Sequence, residues 1–252
     1  MSPVPATPDD APLATDLRVA PAAFAKVDRI LRVRDVPELE GAWLEHKARL
    51  EGPHTAADER DALWLAISMA RAHGAARAHE EERAVLEAAS ERLSIPAYRV
   101  MTLTRLARAA AFLDDLALAR RWLEDIEPTG YPDVESDVTV ARAFVALKAG
   151  DAAETLALLR DTPEESSITG MAQPLADLLR IDALERDGRG LRASFQFRKA
   201  LSAHGGFALQ SLILYYGLGK AAQRRAVLLI IVSTMFSLAT IAALVWWFFL
   251  RR

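Results

Sequence analysis

No cysteine occurs in the 252 residues. That excludes disulfide staples, thiolate zinc sites and a cysteine nucleophile together, and it fits a reducing compartment. Strand patterning is missing as well: from Pro21 onward no run alternates with a period of two, whereas apolar residues recur at three and four. There is no basic excess, since 31 basic and 34 acidic residues leave a net charge of −3, and nucleic acid is therefore not an expected partner. The opening MSPVPATPDDAPLATDL has neither the basic start nor the apolar core of a secretory leader, so the bulk of the chain is expected in the cytoplasm. Heavy use of Ala, Leu and Arg suggests a GC-rich bacterial genome.

Charge is wholly absent from one stretch, Ala226 to Leu250 (AVLLIIVSTMFSLATIAALVWWFFL), which also lacks Gly and Pro. As a helix, 25 residues rise about 37 Å, a little more than the roughly 30 Å hydrocarbon core of a bilayer. One tilted transmembrane helix is expected. Only Ser233, Thr234, Ser237 and Thr240 are polar within it. Lys220, Arg224 and Arg225 precede it, Arg251 and Arg252 follow it, and Trp246 and Trp247 crowd its far end with Phe248 and Phe249. Basic and aromatic residues at those depths mark membrane interfaces. Three basic residues on one side and two on the other are too even to orient the span, so orientation rests on the missing leader. The expected arrangement is a tail anchor inserted after synthesis, with a bacterial inner membrane as its destination. Ser233 with Ser237 and Ala239 with Ala243 form two small-x-x-x-small pairs that would permit a homodimer contact.

All 65 charged residues lie outside that stretch, in a remainder long enough for one or two domains. A chain of that size buries about 70% of its unfolded surface and needs no staple. Residues 1–20 carry Pro3, Pro5, Pro8 and Pro12 among Ala, Asp and Thr, and read as a disordered arm. Residues 21–99 read as an N-terminal helical region: helices over Pro21–Val33, Pro37–Leu50, Ala56–Ala72 and Ala78–Leu93, with Gly74 as the cap of the third and Pro96 opening a fifth. In the second, Leu39, Trp43, His46 and Leu50 share a stripe, and in the third Leu63, Trp64, Ile67 and Ala70 point to a core.

Residues 100–219 repeat themselves. LARAAAFLDDLALARRWLEDIEP ends at Pro128 and ARAFVALKAGDAAETLALLRDTP ends at Pro163, 35 residues later. Each pairs an apolar-striped helix (Leu103, Leu106, Ala107, Ala110; Val140, Ala143, Phe144, Leu147) with a turn, at Asp114-Asp115 and Gly150-Asp151, and a second short helix. Helical units at that spacing read as a solenoid. A third unit, IDALERDGRGLRASFQFRKAL, turns at Gly188 and sets Ala193, Phe197, Ala200 and Leu201 at +5, +9, +12 and +13. The small-aromatic-small pattern of that second helix resembles the tetratricopeptide repeat. The second unit departs from the family pattern in having Thr155 where Ala is preferred, and the first helices of units two and three lack its Trp, Leu, Gly and Tyr pattern. Residues 21–99 could be degenerate repeats of the same kind. Gly205 and Gly206 close the last repeat, Phe207–Tyr216 forms a capping helix, and Gly217 and Gly219 offer a hinge before the anchor segment, 220–252.

The expected fold class is therefore all-α: an antiparallel helix-pair solenoid, tetratricopeptide-like, plus one C-terminal transmembrane helix. What the resemblance implies is a concave wall gripping a protein or peptide partner, with Arg108 and Lys148 facing it as carboxylate clamps. No catalytic, cofactor or metal residue is expected. His46, His54, His73, His79 and His204 make no metal-ligand pair at i, i+4; Glu80-Glu81-Glu82 reads as a solvated helix face, and Gly188-Arg189-Gly190 and Gly217-Leu218-Gly219-Lys220 as turns. The expected function is a non-enzymatic, membrane-anchored adaptor or scaffold on the cytoplasmic face, similar in layout to the mitochondrial fission receptor family. The alternatives are an accessory subunit of a larger secretion or transport complex, and an enzyme whose site carries no recognisable motif.

Overall fold

The structure, a computed structural model, describes residues 36–127, 132–160 and 172–250. The expected arm, the first expected helix, Pro128, Pro163, Arg251 and Arg252 lie outside the described residues. Among the described residues the fold is all-helical, with eleven helices and no strand. The chain divides into two compact units, Met1–Gln173 and Pro174–Arg252.

The first unit holds α1 (Val36–Arg49), α2 (Ala56–Ala75), α3 (His79–Ser90), α4 (Pro96–Phe112), α5 (Leu116–Glu124), α6 (Pro132–Lys148) and α7 (Ala152–Leu158). Each helix packs on the next, and α4 also packs on α2 and α6. The expected stripe of α1 holds: Leu39, Trp43 and Leu50 are buried, and His46, half-buried, bonds through Nδ1 to the Ala42 carbonyl at 3.0 Å. A reciprocal box opens α2, where the Thr55 hydroxyl accepts from the Asp58 N–H and the Asp58 carboxylate accepts from the Thr55 N–H at 2.8 Å. Leu63, Ile67 and Ala70 are buried as expected, while Trp64 is half-buried. Pro96 stands in the first turn of α4, where its missing N–H costs nothing. Between α4 and α6 the core is alanine-rich: Ala107, Ala110, Ala141 and Ala143 are fully buried beside Phe144 and Leu147. Small side chains there let the two backbones approach, and the aromatic ring fills the space they leave.

Helix α2 runs one turn further than its composition suggests. Gly74 lies buried inside it, and Arg77, at φ 65°, makes the left-handed turn instead. The cause is local bonding: the Arg77 N–H donates to the Gly74 carbonyl at 3.0 Å and the Ala78 N–H to the His73 carbonyl at 2.9 Å, which closes the helix C-terminus in a Schellman turn. The same device recurs. Asp114, Gly150 and Gly188 have φ of 60°, 89° and 75°, and each following residue donates five positions back, Asp115 to Ala110, Asp151 to Ala146 and Arg189 to Leu184. The four turn residues, Arg77, Asp114, Gly150 and Gly188, are spaced by 37, 36 and 38 positions.

The second unit holds α8 (Ala172–Arg186, opening at its boundary), α9 (Gly190–His204), α10 (Gly206–Tyr216) and α11 (Lys220–Leu250), with α9 packed on α10 and α11. Ala193, Phe197 and Ala200 of α9 are buried, but Leu201 is 38% exposed. It falls in the last turn, where the chain folds away at Gly205 (φ 78°) and leaves it partly uncovered. Gly206 opens α10 instead of helping to stop α9.

Candidate functional site

The expected partner residues Arg108 and Lys148 lie at one end of α4 and α6, around Phe112. His79, at the start of α3, bonds through Nδ1 to Glu82 Oε2 at 2.8 Å and stacks on Phe112 with ring centroids 4.4 Å apart and planes 5° from parallel. Phe112 in turn meets Phe144, tilted by 53° at 5.2 Å. Lys148 Nζ lies 5.8 Å from the Phe112 centroid and 3.5 Å from Asp114 Oδ1. Arg108 stands one turn before Phe112 on the same face of α4. Lys148 is not the open cation the sequence suggested: it is held by an aromatic face and a carboxylate. Its hold is loose, because Asp114 is 87% exposed and an ion pair in water contributes little. Arg108 is half-buried and engaged within the fold.

A second constellation was not legible in the sequence. Glu59 of α2, 2% exposed, accepts from the Ser94 N–H at 2.9 Å, the Ile95 N–H at 3.0 Å and the Ser94 hydroxyl, with His54 Nε2 at 3.3 Å. It thereby caps α4, whose own cap residue Ile95 offers no side-chain acceptor. A helix start built from Ile and Pro needs an acceptor from elsewhere, and that need was the available clue. Burial alone would raise the Glu59 carboxyl, but the Ser94 hydroxyl, the Ile95 and Ser94 N–H groups and His54 outweigh it and hold the group below its ordinary value. His54 is raised, chiefly by the Gly52 carbonyl it bonds at 2.8 Å; burial opposes the rise, and Glu59 adds to it. Asp58 is lowered, first by the Thr55 hydroxyl and then by the Thr55 N–H. These groups fasten the starts of α2 and α4. Among the described residues, no three His, Asp or Glu side chains are placed to hold a metal ion.

The second unit carries the residues expected at a membrane. Within α11, Lys220–Trp247 is long and apolar enough to cross a bilayer, and its most apolar window is wholly uncovered by the rest of the fold. The hydroxyls of Thr234, Ser237 and Thr240 donate to the carbonyls of Ile230, Ser233 and Phe236 at 2.8–2.9 Å. Those polar groups are thus satisfied inside the helix, as a hydrocarbon environment requires. Ser233 and Ala239 are separated by about 240° around the helix, so the two small-residue pairs face different sides. Trp246 and Trp247 are exposed at the far end.

At its near end α11 is rooted. Ala222 and Ala226 are buried, Arg225 pairs with Glu185, and Gln223 donates to Gln210 at 2.9 Å. Any side chain at Gly190 would collide with the Arg225 guanidinium. Lys220 and Arg224 are exposed, whereas Arg225 is committed to the protein by its Glu185 pairing. The expected hinge is a fastened turn: Gly219 (φ 70°) donates to Asp182 Oδ1 at 3.2 Å, and an added Cβ would lie 3.1 Å from Leu178 Cδ2. No known family model, curated sequence or solved structure matches this chain.

Proposed function

We propose that this chain is a membrane-anchored, non-enzymatic adaptor: a tetratricopeptide-like solenoid of helix pairs on the cytoplasmic face, holding a protein or peptide partner near a bacterial inner membrane. The observation that carries the reading is the joint presence of a turn recurring four times at 36–38 positions and an uncovered apolar helix rooted in the last helical unit. Because the first such turn is at Arg77, between α2 and α3, the repeat reading extends into residues 21–99. In this reading Arg108 and Lys148 meet a partner carboxylate near Phe112. Asp114 holds Lys148 until the partner arrives, and the exchange costs little because Asp114 stands in water.

The test compares full-length chain, chain ending at Ala226 and the R108E/K148E double variant by carbonate fractionation and proximity labelling in cells. Ending at Ala226 keeps the packed root of α11 while removing the span. The full-length chain should resist carbonate extraction, the truncated chain should not, and the double variant should stay in the membrane while losing its labelled partners. Identical partners in the same fraction for all three would overturn the proposal.

A further inference from the structure

The distribution of charge and apolar surface in the second unit is not explained by an adaptor wall or by a single span. Beyond Asp187 the chain contains no acidic residue, while Arg189, Arg192, Arg198, Lys199, Lys220, Arg224, Arg225, Arg251 and Arg252 are basic. Of these, Arg192, Arg198, Lys199, Lys220 and Arg224 are exposed and have no acidic partner among the described residues. Leu191 and Phe195, one turn apart on α9, are 76% and 75% exposed, and with Arg192, Gln196 and Lys199 they line a shallow open hollow. Phe207, at the start of α10, is 90% exposed. A helix face that mixes large apolar residues with cations and excludes anions has the composition of an interfacial helix.

Position supports the same occupant. Gly190 backs directly onto Arg225, and Gln210 bonds Gln223, so the start of α9 and the middle of α10 reach the last turn of α11 before the apolar stretch. Leu191 follows Gly190 immediately, and Phe207 is one turn before Gln210. The exposed apolar residues are therefore grouped around the point where α11 leaves the unit.

We propose that the outward face of α9 and the start of α10 lie on an anionic bilayer surface, with Leu191, Phe195 and Phe207 inserted among the headgroups and Arg192, Arg198 and Lys199 on lipid phosphates. This rests on the membrane reading of α11 and adds a second, lipid-selective contact to it. Each basic residue near such a surface contributes on the order of a fivefold gain in affinity.

The chain's lack of cysteine makes a direct test simple. Full-length protein carrying S202C (on the outward face of α9, two turns after Phe195), A208C (beside Phe207) or L238C (mid-span) is labelled with a fluorophore that brightens in apolar surroundings. Each form is reconstituted in phosphatidylcholine vesicles with and without phosphatidylglycerol. All three labels should be bright and shielded from aqueous acrylamide when phosphatidylglycerol is present. Adding R192E and K199E should cut the shielded fraction at Ser202 roughly tenfold or more while leaving Leu238 unchanged. A water-exposed label at Leu238 would bring down the membrane reading itself. A shielded Leu238 label with acrylamide-accessible Ser202 and Ala208 would overturn only the surface contact. Self-quenching at Ser202 that tracks protein density in both lipid mixtures would also overturn it, by showing that a second copy occupies this face.

Discussion

The two units solve the problem of solvent in opposite ways. Through Gln173 the chain has thirty acidic and twenty basic residues; from Pro174 it has four acidic and eleven basic. Among the described residues, Leu44 alone is a large exposed apolar side chain in the first unit, whereas the second exposes Leu191, Phe195, Phe207 and most of α11. Buried polar groups run the other way. Glu59, Ser68, Glu82, Thr102, Thr104, Ser136, Asp137 and Thr155 are buried in the first unit, and among the described residues of the second only Ser194 is. Among the described residues the first unit keeps its large apolar side chains inside, Leu44 apart, and Thr55, Asp115 and Asp151 cap three of its helices. The second leaves apolar surface outward with cations beside it, the kind of patch that marks an interaction surface.

That contrast can be broken most forcefully at Phe144. Its ring is fully buried in the first unit, so Phe144→Ala should destabilise the protein by about 3–5 kcal/mol, whereas Phe195→Ala, which removes an exposed ring, should leave the thermal midpoint in detergent nearly unchanged. Equal losses for the two would erase the distinction between a finished and an unfinished surface.

Next in size is Glu59→Gln, which weakens charge-assisted hydrogen bonds of about 1.5–3 kcal/mol. Because the Glu59 carboxyl is held below its ordinary value, its contribution is present above that value and is lost as pH falls through the lowered one. His54 is raised, so its contribution is present below its ordinary value and is lost as pH rises through the raised one. Chemical unfolding from neutral to acid pH should therefore show wild type losing stability more steeply than E59Q on the acid side. Parallel curves would remove Glu59 from the account.

The smallest test uses the recurring turns. Gly150→Ala places a Cβ at φ 89° and should cost about 1–2 kcal/mol, while Arg77→Gly, which relieves a non-glycine residue at φ 65°, should gain up to about 1 kcal/mol. Shifts of the same sign in thermal melts would mean that the turns are not equivalent.

What the sequence made legible was local. The helical period, the proline opening α4 and the turns at Asp114, Gly150 and Gly188 all show in neighbouring residues, because Asp and Gly tolerate a left-handed backbone. Arg77 carries no such clue, and the nearest glycine, Gly74, stands three residues before the turn. The losses were contacts across long separations. Glu59 is bonded to residues 35 and 36 positions away, and Arg225, which looked like an interface cation, pairs with Glu185 40 positions back. Neither partnership leaves a periodicity to find.

The fastened base of α11 has a mechanical consequence. With Gly219 pinned beneath Leu178 and Arg225 locked to Glu185, the helix leaves its unit as an unbroken rod. As a transmembrane span, about 37 Å of apolar rod would exceed about 30 Å of hydrocarbon, a mismatch that tilt relieves. A rod clamped at its foot cannot lean alone. On the membrane reading, a tilt of α11 would turn α8, α9 and α10 with it, and bilayer thickness would then bias the angle those helices take to its surface.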